Sequence, residues 1–484
     1  MSFCKSLSNM TTTENGATTF KSTNSSIVDW FFHGAALRNE QNTERILKLF
    51  TKAFKEDPQT ALRVLFYIRD VRGGQGERRV FRICIEWLAM NHEDWVIHNL
   101  DLFPEYGRWD DLISLLGNSS TLDGLIVQKL STTLSRDMYN LRKGDSISLL
   151  AKWMPSENTS SKETRNLANF LRANLGMTPK EYRQMLSKLR RQLDIVERKL
   201  SARECYTINY PNLPSKAAMK YRKAFSRNDG LRYQAYLDSL KKGETKINTA
   251  TLYPYELLQK VWRGEDSDTI NLMWKNLPDY VPDLCGLVVA DTSGSMTCMN
   301  NLPMAISVSL AMYIAERNKN KAWKDYFISF NERPKLHKIE GNTLYQRVNS
   351  VRLGDVANTN IQAVFDLVLD RAIANKVPQE DMPKILLIVS DMEFDSCTKN
   401  ASATNFEAIK RRYTKADLPM PTLAFWNVCS RNTQAPIQFN EQGVVLLSGS
   451  SPVVFKYALG NCTTPLEMVY NVVNADRYKP ITWK

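Results

Sequence analysis

The sequence predicts an α + α/β chain, in which an N-terminal α-helical repeat domain of HEAT-like solenoid type precedes a doubly wound α/β domain. Three observations carry this expectation. From Ile27 to about residue 240, apolar residues recur at the three-to-four spacing of a helix face. Beyond residue 281, short apolar runs alternate with helical patterns, as in a mostly parallel sheet covered by helices. The first of those runs, Leu287-Val288-Val289-Ala290, stops abruptly in Asp291-Thr292-Ser293-Gly294-Ser295. A chain of 484 residues is more than one core ordinarily serves, so the sequence reads as a tail over 1–26, a helical domain over 27–280 and an α/β domain over 281–484.

Residues 1–26 are rich in Ser, Thr and Asn and poor in apolar side chains, which predicts a mobile tail. Helix faces follow in Leu47, Leu49, Phe50 and Phe54, then in Ala61, Leu62, Val64, Leu65 and Ile68, then in Val80, Phe81, Ile83, Cys84, Trp87 and Leu88. They read as successive antiparallel helices, although no strict repeat period is visible. Between the second and third lies Arg69-Asp70-Val71-Arg72-Gly73-Gly74-Gln75-Gly76-Glu77-Arg78-Arg79. Its glycines either let the backbone approach an anion or simply end one helix and turn the chain into the next. No Gly-Lys-Ser/Thr follows, so this is not a nucleotide-binding phosphate loop. Glu105-Tyr106-Gly107-Arg108-Trp109-Asp110-Asp111-Leu112 reads as a helix start anchored by Trp109. Over 181–204, Met185, Leu186, Leu189, Leu193, Val196 and Leu200 predict one amphipathic helix with Arg183, Lys188, Arg190, Arg191 and Arg198 on its other side. In the α/β part, strands are expected over 285–290, 326–330, 335–339, 385–390, 422–428 and 444–447. Helical patterns cover 303–317, 343–351, 360–375, 403–415 and 465–475, and a hairpin at 331–334 supplies one antiparallel edge.

The formal net charge is +13 and is unevenly shared. From residue 281 onward there are 22 Lys and Arg against 19 Asp and Glu, so +10 of the total belongs to residues 1–280. Residues 179–242 hold 16 Lys and Arg against 6 acids, with Tyr182, Tyr206, Tyr210, Tyr221, Tyr233 and Tyr236 interleaved. Cations for phosphates and rings for bases are the materials of single-strand RNA binding. The other reading is a set of solvated basic helix faces whose tyrosines are partly core. The RNA-contact candidates are Arg69, Arg72, Arg78, Arg79, Arg183, Lys188, Arg190, Arg191, Lys220, Arg222 and Lys223.

Eight cysteines without a Cys-x-x-Cys pair read as reduced core thiols, and four scattered histidines form no metal cluster. The N-terminus lacks a signal-peptide pattern and no stretch is read as long enough to span a bilayer, so a cytoplasmic protein without a membrane partner is expected. Catalysis is not expected, because there is no nucleophile elbow, no His or Cys cluster and no phosphate loop tied to a strand.

The strand that ends at Asp291 suits a divalent cation. An Asp with the hydroxyls of Ser293 and Ser295 is an oxygen-only, hard donor set, appropriate to Mg2+ or Mn2+ rather than zinc. A cation held by so few charges keeps Lewis acidity for an outside carboxylate, which makes an acidic protein ligand a candidate partner. The run Ile385-Leu386-Leu387-Ile388-Val389-Ser390 ends likewise in Asp391, and open α/β sheets bind ligands at strand carboxyl ends. Thr359 lies just ahead of the helical pattern Ile361, Val364, Phe365, Val368 and Leu369. The alternative is that Asp291 caps a turn and the serines bond to backbone. In combination, Asp-x-Ser-x-Ser, the later Thr and the later Asp resemble the metal-ion-dependent adhesion site of von Willebrand factor A domains over residues 281–484. That resemblance implies Asp291, Ser293 and Ser295 as the first ligand loop, Thr359 as a direct or water-mediated ligand, and Asp391 binding mostly through water.

Together with Leu150-Ala151-Lys152-Trp153-Met154-Pro155-Ser156 and the Tyr182–Arg190 segment, the two loops of the helical part resemble an uncharacterised family of plants, fungi and giant viruses, DUF2828-like, over nearly the whole chain. That family is similar to the Ro, telomerase and vault (TROVE) RNA-binding proteins, which pair a helical-repeat ring with a von Willebrand factor A domain. The resemblance implies a non-catalytic ribonucleoprotein component that binds single-stranded or structured noncoding RNA, in host cytoplasm or a virion if viral. Two rivals are a protein-interaction adaptor or virion structural protein without RNA binding, and a Mg2+-dependent nuclease built on Asp291, Asp391 and Glu393.

Overall fold

The computed structural model describes residues 9–281, 286–330, 334–351, 361–378, 381–394, 405–418, 420–456 and 462–483. They fall into two compact units, Met1–Phe81 with Thr249–Trp483, and Arg82–Asn248. This division differs from the expected one near residue 280. The first helices belong with the sheet because they pack on one another and, through helix Ser26–Gly34, on its strands. In helix Ser26–Gly34, eight of nine residues are buried, Trp30, Phe31 and Phe32 among them. The Ser448 hydroxyl donates to its Phe31 carbonyl at 2.6 Å.

Over residues 9–26 the expected mobile tail is also corrected. Strands β1 (Met10–Thr12) and β2 (Thr18–Phe20) form an antiparallel hairpin. Phe20 N–H donates to Ala435 O and Ala435 N–H to Phe20 O, both at 3.0 Å. Threonine hydroxyls replace apolar contacts here: Thr19 Oγ1 donates to Ala435 O at 2.7 Å. A segment poor in apolar residues is thus ordered by hydrogen bonds to chain more than 400 residues away.

The sheet has the predicted doubly wound character. Strands β3 (Gly286–Asp291), β4 (Tyr326–Phe330), β5 (Lys335–Lys338), β6 (Ile385–Ser390), β7 (Thr422–Asn427) and β8 (Val444–Ser448) lie in the order β5-β4-β3-β6-β7-β8. All neighbours are parallel except β4 and β5. Both central strands are buried along their whole length, as continuous apolar runs covered on two faces must be. Helix Cys298–Arg317 packs against them, with Ser307 Oγ donating to Val389 O at 2.9 Å. Met299, Asn300 and Asn301 have φ of 52°, 57° and 60°, so regular helix begins only after them. Contrary to the sequence reading, the segment Gly294–Arg317 is long and apolar enough to cross a membrane by length and composition. Of its apolar 18-residue window 72% is buried within the protein, as in a core helix.

Residues 82–248 are helical, with lengths from the 24 residues of Ser120–Lys143 to the four of Leu150–Trp153, so element length sets no repeat. The single amphipathic helix expected over 181–204 is two, Pro179–Gln192 and Val196–Ser201, separated where Asp194 adopts φ 51°.

The glycine-rich loop is architectural. Gly74 and Gly76 N–H both donate to Asp70 O, Gln75 N–H to Tyr67 O and Glu77 N–H to Ile68 O, so these amides are turned inward rather than toward an anion. A Cβ at Gly74 would lie 2.0 Å from Tyr67 O, and Gly76 has φ 65° with Tyr253 Oη filling the place of a side chain. Asp70, fully buried, accepts from Arg477 Nη2 at 2.9 Å, Tyr478 Oη at 3.2 Å and Arg72 N at 2.9 Å. Removing a buried acceptor of several donors is expensive. Asp70→Ala is expected to lower the stability of this unit by roughly 3 kcal/mol, read as a reduced urea midpoint; an unchanged midpoint contradicts the loop's structural role.

Candidate metal centre and basic helical surface

Parallel pairing of β3 with β6, Val288 opposite Leu387 and Ala290 opposite Val389, brings Asp291 and Asp391 to one sheet edge as expected. Asp291 is fully buried; its Oδ1 accepts Ser293 N–H at 2.9 Å and its Oδ2 accepts the Ser390 hydroxyl at 2.5 Å. The Ser293 and Ser295 hydroxyls are 3.1 Å apart. Asp391 Oδ1 accepts Glu393 N–H at 3.2 Å, while its Oδ2 is buried without a hydrogen-bond partner, 3.7 Å from Arg431 Nη1. Burial first, and the neighbouring Asp391 carboxylate second, push Asp291 up to about 7. Burial likewise raises Asp391, against the opposing pull of the Ser295 hydroxyl and the Glu393 amide. Two buried carboxylates that disfavour each other's charge, with hydroxyls alongside and one oxygen unpaired, fit a small hard cation. Thr359 lies outside the described residues.

Ser390, Arg431 and the N-terminal hairpin are site features that the sequence reading missed. Ser390 was visible as the residue before Asp391; Arg431 and the hairpin carry no motif. Glu393 faces elsewhere: its carboxylate accepts Glu14 N–H at 2.9 Å and Asn432 Nδ2. Among the described residues, no group of three or more His, Cys, Asp and Glu side chains is arranged to hold a metal. The oxygen atoms that an ion here would meet are those of the two carboxylates and the serine hydroxyls.

The cationic candidates separate into exposed and engaged groups. Arg69 is 1% exposed, so it is withdrawn from any polymer surface. Arg72 and Arg78 are exposed, and Arg79 donates to Glu40 O. Arg190 is a structural clamp: Nε, Nη1 and Nη2 donate to Ala151 O, Ser156 Oγ and Met154 O at 2.8, 2.8 and 2.7 Å. Arg183 pairs with Glu157 at 2.9 Å, and the buried Arg222 donates to Met219 O. Lys188, Arg191, Lys220 and Lys223 are exposed.

Helix Ser215–Asn228 contains no Asp or Glu, and Lys216, Lys220, Lys223 and Arg227 recur along one side of it. Of the interleaved tyrosines, Tyr182, Tyr210 and Tyr233 are core rather than bases' stacking partners. Tyr210 stacks on Tyr236 at 5.4 Å, abuts Phe225 and Tyr233, and donates to Asp229 Oδ2 at 2.7 Å. Tyr182 donates to Pro155 O at 2.8 Å. Tyr206, 71% exposed, and the half-buried Tyr221 and Tyr236 remain accessible among the six, Tyr236 with one face stacked on Tyr210. The helical unit also carries an open cleft of about 970 Å3 lined by Arg82, Lys152, Trp153, Arg183, Arg190 and Arg198 among others.

Two family models match the chain: Domain of unknown function (DUF2828) over residues 13–129 and 121–283, and Domain of unknown function (DUF7788) over 285–477. An uncharacterised protein of Acanthamoeba polyphaga mimivirus is 29% identical, across 98% of this chain and 89% of its own length. The solved Ro protein of Deinococcus radiodurans aligns over 93% of both chains at 12% identity, with a TM-score of 0.34, too slight a likeness to carry argument. The DUF2828 matches together cover more than half of the sequence, and the chain belongs to that family.

Proposed function

We propose that this protein is a non-catalytic RNA-binding scaffold that also holds a divalent cation, Mg2+ or Mn2+, for contact with an acidic protein partner. The observation that supports RNA binding best is the acid-free helix Ser215–Asn228, whose Lys216, Lys220, Lys223 and Arg227 repeat at one-turn intervals. Cations so spaced track a phosphodiester backbone, and Tyr206 and Tyr221 offer ring faces in the same helical unit. Since Tyr182, Tyr210 and Tyr233 are core, recognition rests on phosphate more than on stacking, so affinity with little sequence preference is the outcome. A von Willebrand factor A-like adhesion site is supported by Asp291, Ser293, Ser295 and Asp391 at one sheet edge. The ion would neutralise the two carboxylates and present an open position to a partner's acid.

Anisotropy titrations with fluorescent single-stranded RNA between 50 and 200 mM salt test the first half. The Lys220→Glu, Lys223→Glu and Arg227→Glu triple variant is expected to bind more weakly and to flatten the salt slope by about 2, from roughly 0.7 per lost phosphate contact. A salt-independent affinity, or a triple variant equal to the parent, contradicts it.

The ion half has a stability signature. Asp291, raised from 3.8 to about 7 in the folded chain, binds more protons there than when unfolded. Ion-free protein is therefore expected to lose stability as pH rises from about 4 to about 7, and Mg2+ to restore it above that range. In chelator at pH 8, Asp291→Asn is expected to melt no lower than the parent while losing Mg2+ stabilisation. A variant that melts lower yet still gains from Mg2+ contradicts the assignment.

A further inference from the structure

The hairpin that the sequence left as a tail ends beside the ion site. Its turn is closed by Thr13 N–H to Ala17 O at 2.8 Å and Gly16 N–H to Thr13 O at 3.0 Å. Three bonds seat that turn on the loop after β6. Thr13 Oγ1 donates to Phe394 O at 2.6 Å, Asn15 Nδ2 to Glu393 O at 2.7 Å, and Glu14 N–H to Glu393 Oε2 at 2.9 Å. The Glu14 backbone is thus fixed while its carboxylate is half-exposed and, among the described residues, pairs with Arg431 at 2.5 Å. The other arm of the same guanidinium, Arg431 Nη1, stands 3.7 Å from Asp391 Oδ2, the buried oxygen without a hydrogen-bond partner. One guanidinium therefore sits between the hairpin's acid and the oxygen of Asp391 that lacks a hydrogen bond.

We propose that Glu14 is an acidic ligand built into the chain for the cation at Asp291 and Asp391, and that Arg431 is the positive placeholder in the ion-free state. This rests on the ion-site reading above. A divalent ion beside Asp391 would compete with the guanidinium 3.7 Å away for the carboxylate that the guanidinium also holds. That carboxylate is Glu14, and only its side chain would have to change partner, because the bonds from Thr13 Oγ1, Glu14 N–H and Asn15 Nδ2 to Phe394 and Glu393 hold the turn in place. Aspartates and serines alone leave the shell short of negative charge, and affinity for hard cations rises with the number of charged ligands. The hairpin thereby becomes a lid: an external acidic partner has to displace Glu14 before reaching the ion.

Calorimetric titration of the full chain with Mn2+ alone tests this. Glu14→Gln keeps every backbone bond of the turn and is expected to weaken Mn2+ about tenfold. Arg431→Gln, which removes the competing cation, is expected to tighten it. Hydrogen exchange at Glu14–Ala17 should slow on adding Mn2+ in the parent and not in Glu14→Gln. If Glu14→Gln binds Mn2+ like the parent and exchange at the turn ignores the ion, while Asp291→Ala abolishes binding, the lid is wrong and the ion site stands. Absence of Mn2+ binding, or binding indifferent to Asp291→Ala, overturns both.

Discussion

Asp291 and Asp391 are side by side because β3 and β6 pair in parallel, and neither has water to share its charge. Such a pair is stable only if something positive, or a proton, stands between its members. The surrounding structure answers that requirement in several ways at once. Ser390 donates to one carboxylate, amide N–H groups of Ser293 and Glu393 donate to one each, and Arg431 approaches the second. None of these donors reaches Asp391 Oδ2 with a hydrogen bond, which leaves the Arg431 guanidinium, 3.7 Å away, as its ion-pair partner.

The same economy of charge explains the helical unit. Many of its arginines are spent internally, on carbonyls at helix ends or on single acids. Arg190 closes the end of the short helix Leu150–Trp153, and Arg232 bridges Cys205 O, Ile208 O and Asp229. Total positive charge thus overstates the surface available to a polyanion. What counts is exposed positive charge: helix Ser215–Asn228 contains no acid of its own, and its Lys220, Lys223 and Arg227 are exposed. The cleft lined by Trp153 and Arg190 lies in this unit too, but its cations are largely committed: Arg82 pairs with Asp110 and Asp111, Arg183 with Glu157.

Much of this was legible in the sequence where the physics is local. Strand positions in the α/β part fall within a residue or two of expectation, since buried parallel strands are unbroken apolar runs with sharp ends. The juxtaposition of Asp291 and Asp391 followed from two such runs ending in acids. Other features depend on distant partners. Thr13, Asn15 and Thr19 look like a polar tail, and only carbonyls at Phe394, Glu393 and Ala435 turn them into an ordered hairpin. An arginine that clamps carbonyls, like Arg190, reads in sequence as one that awaits phosphate. Helix periodicity ran straight through Asp194, where the backbone turns left-handed and the helix breaks.

The most direct measurement is anomalous diffraction from crystals of the full chain soaked in Mn2+. The account predicts a single strong peak between the Asp291 and Asp391 carboxylates, with Arg431 moved away from Asp391. An empty site at saturating Mn2+, with Arg431 still beside Asp391, would contradict it.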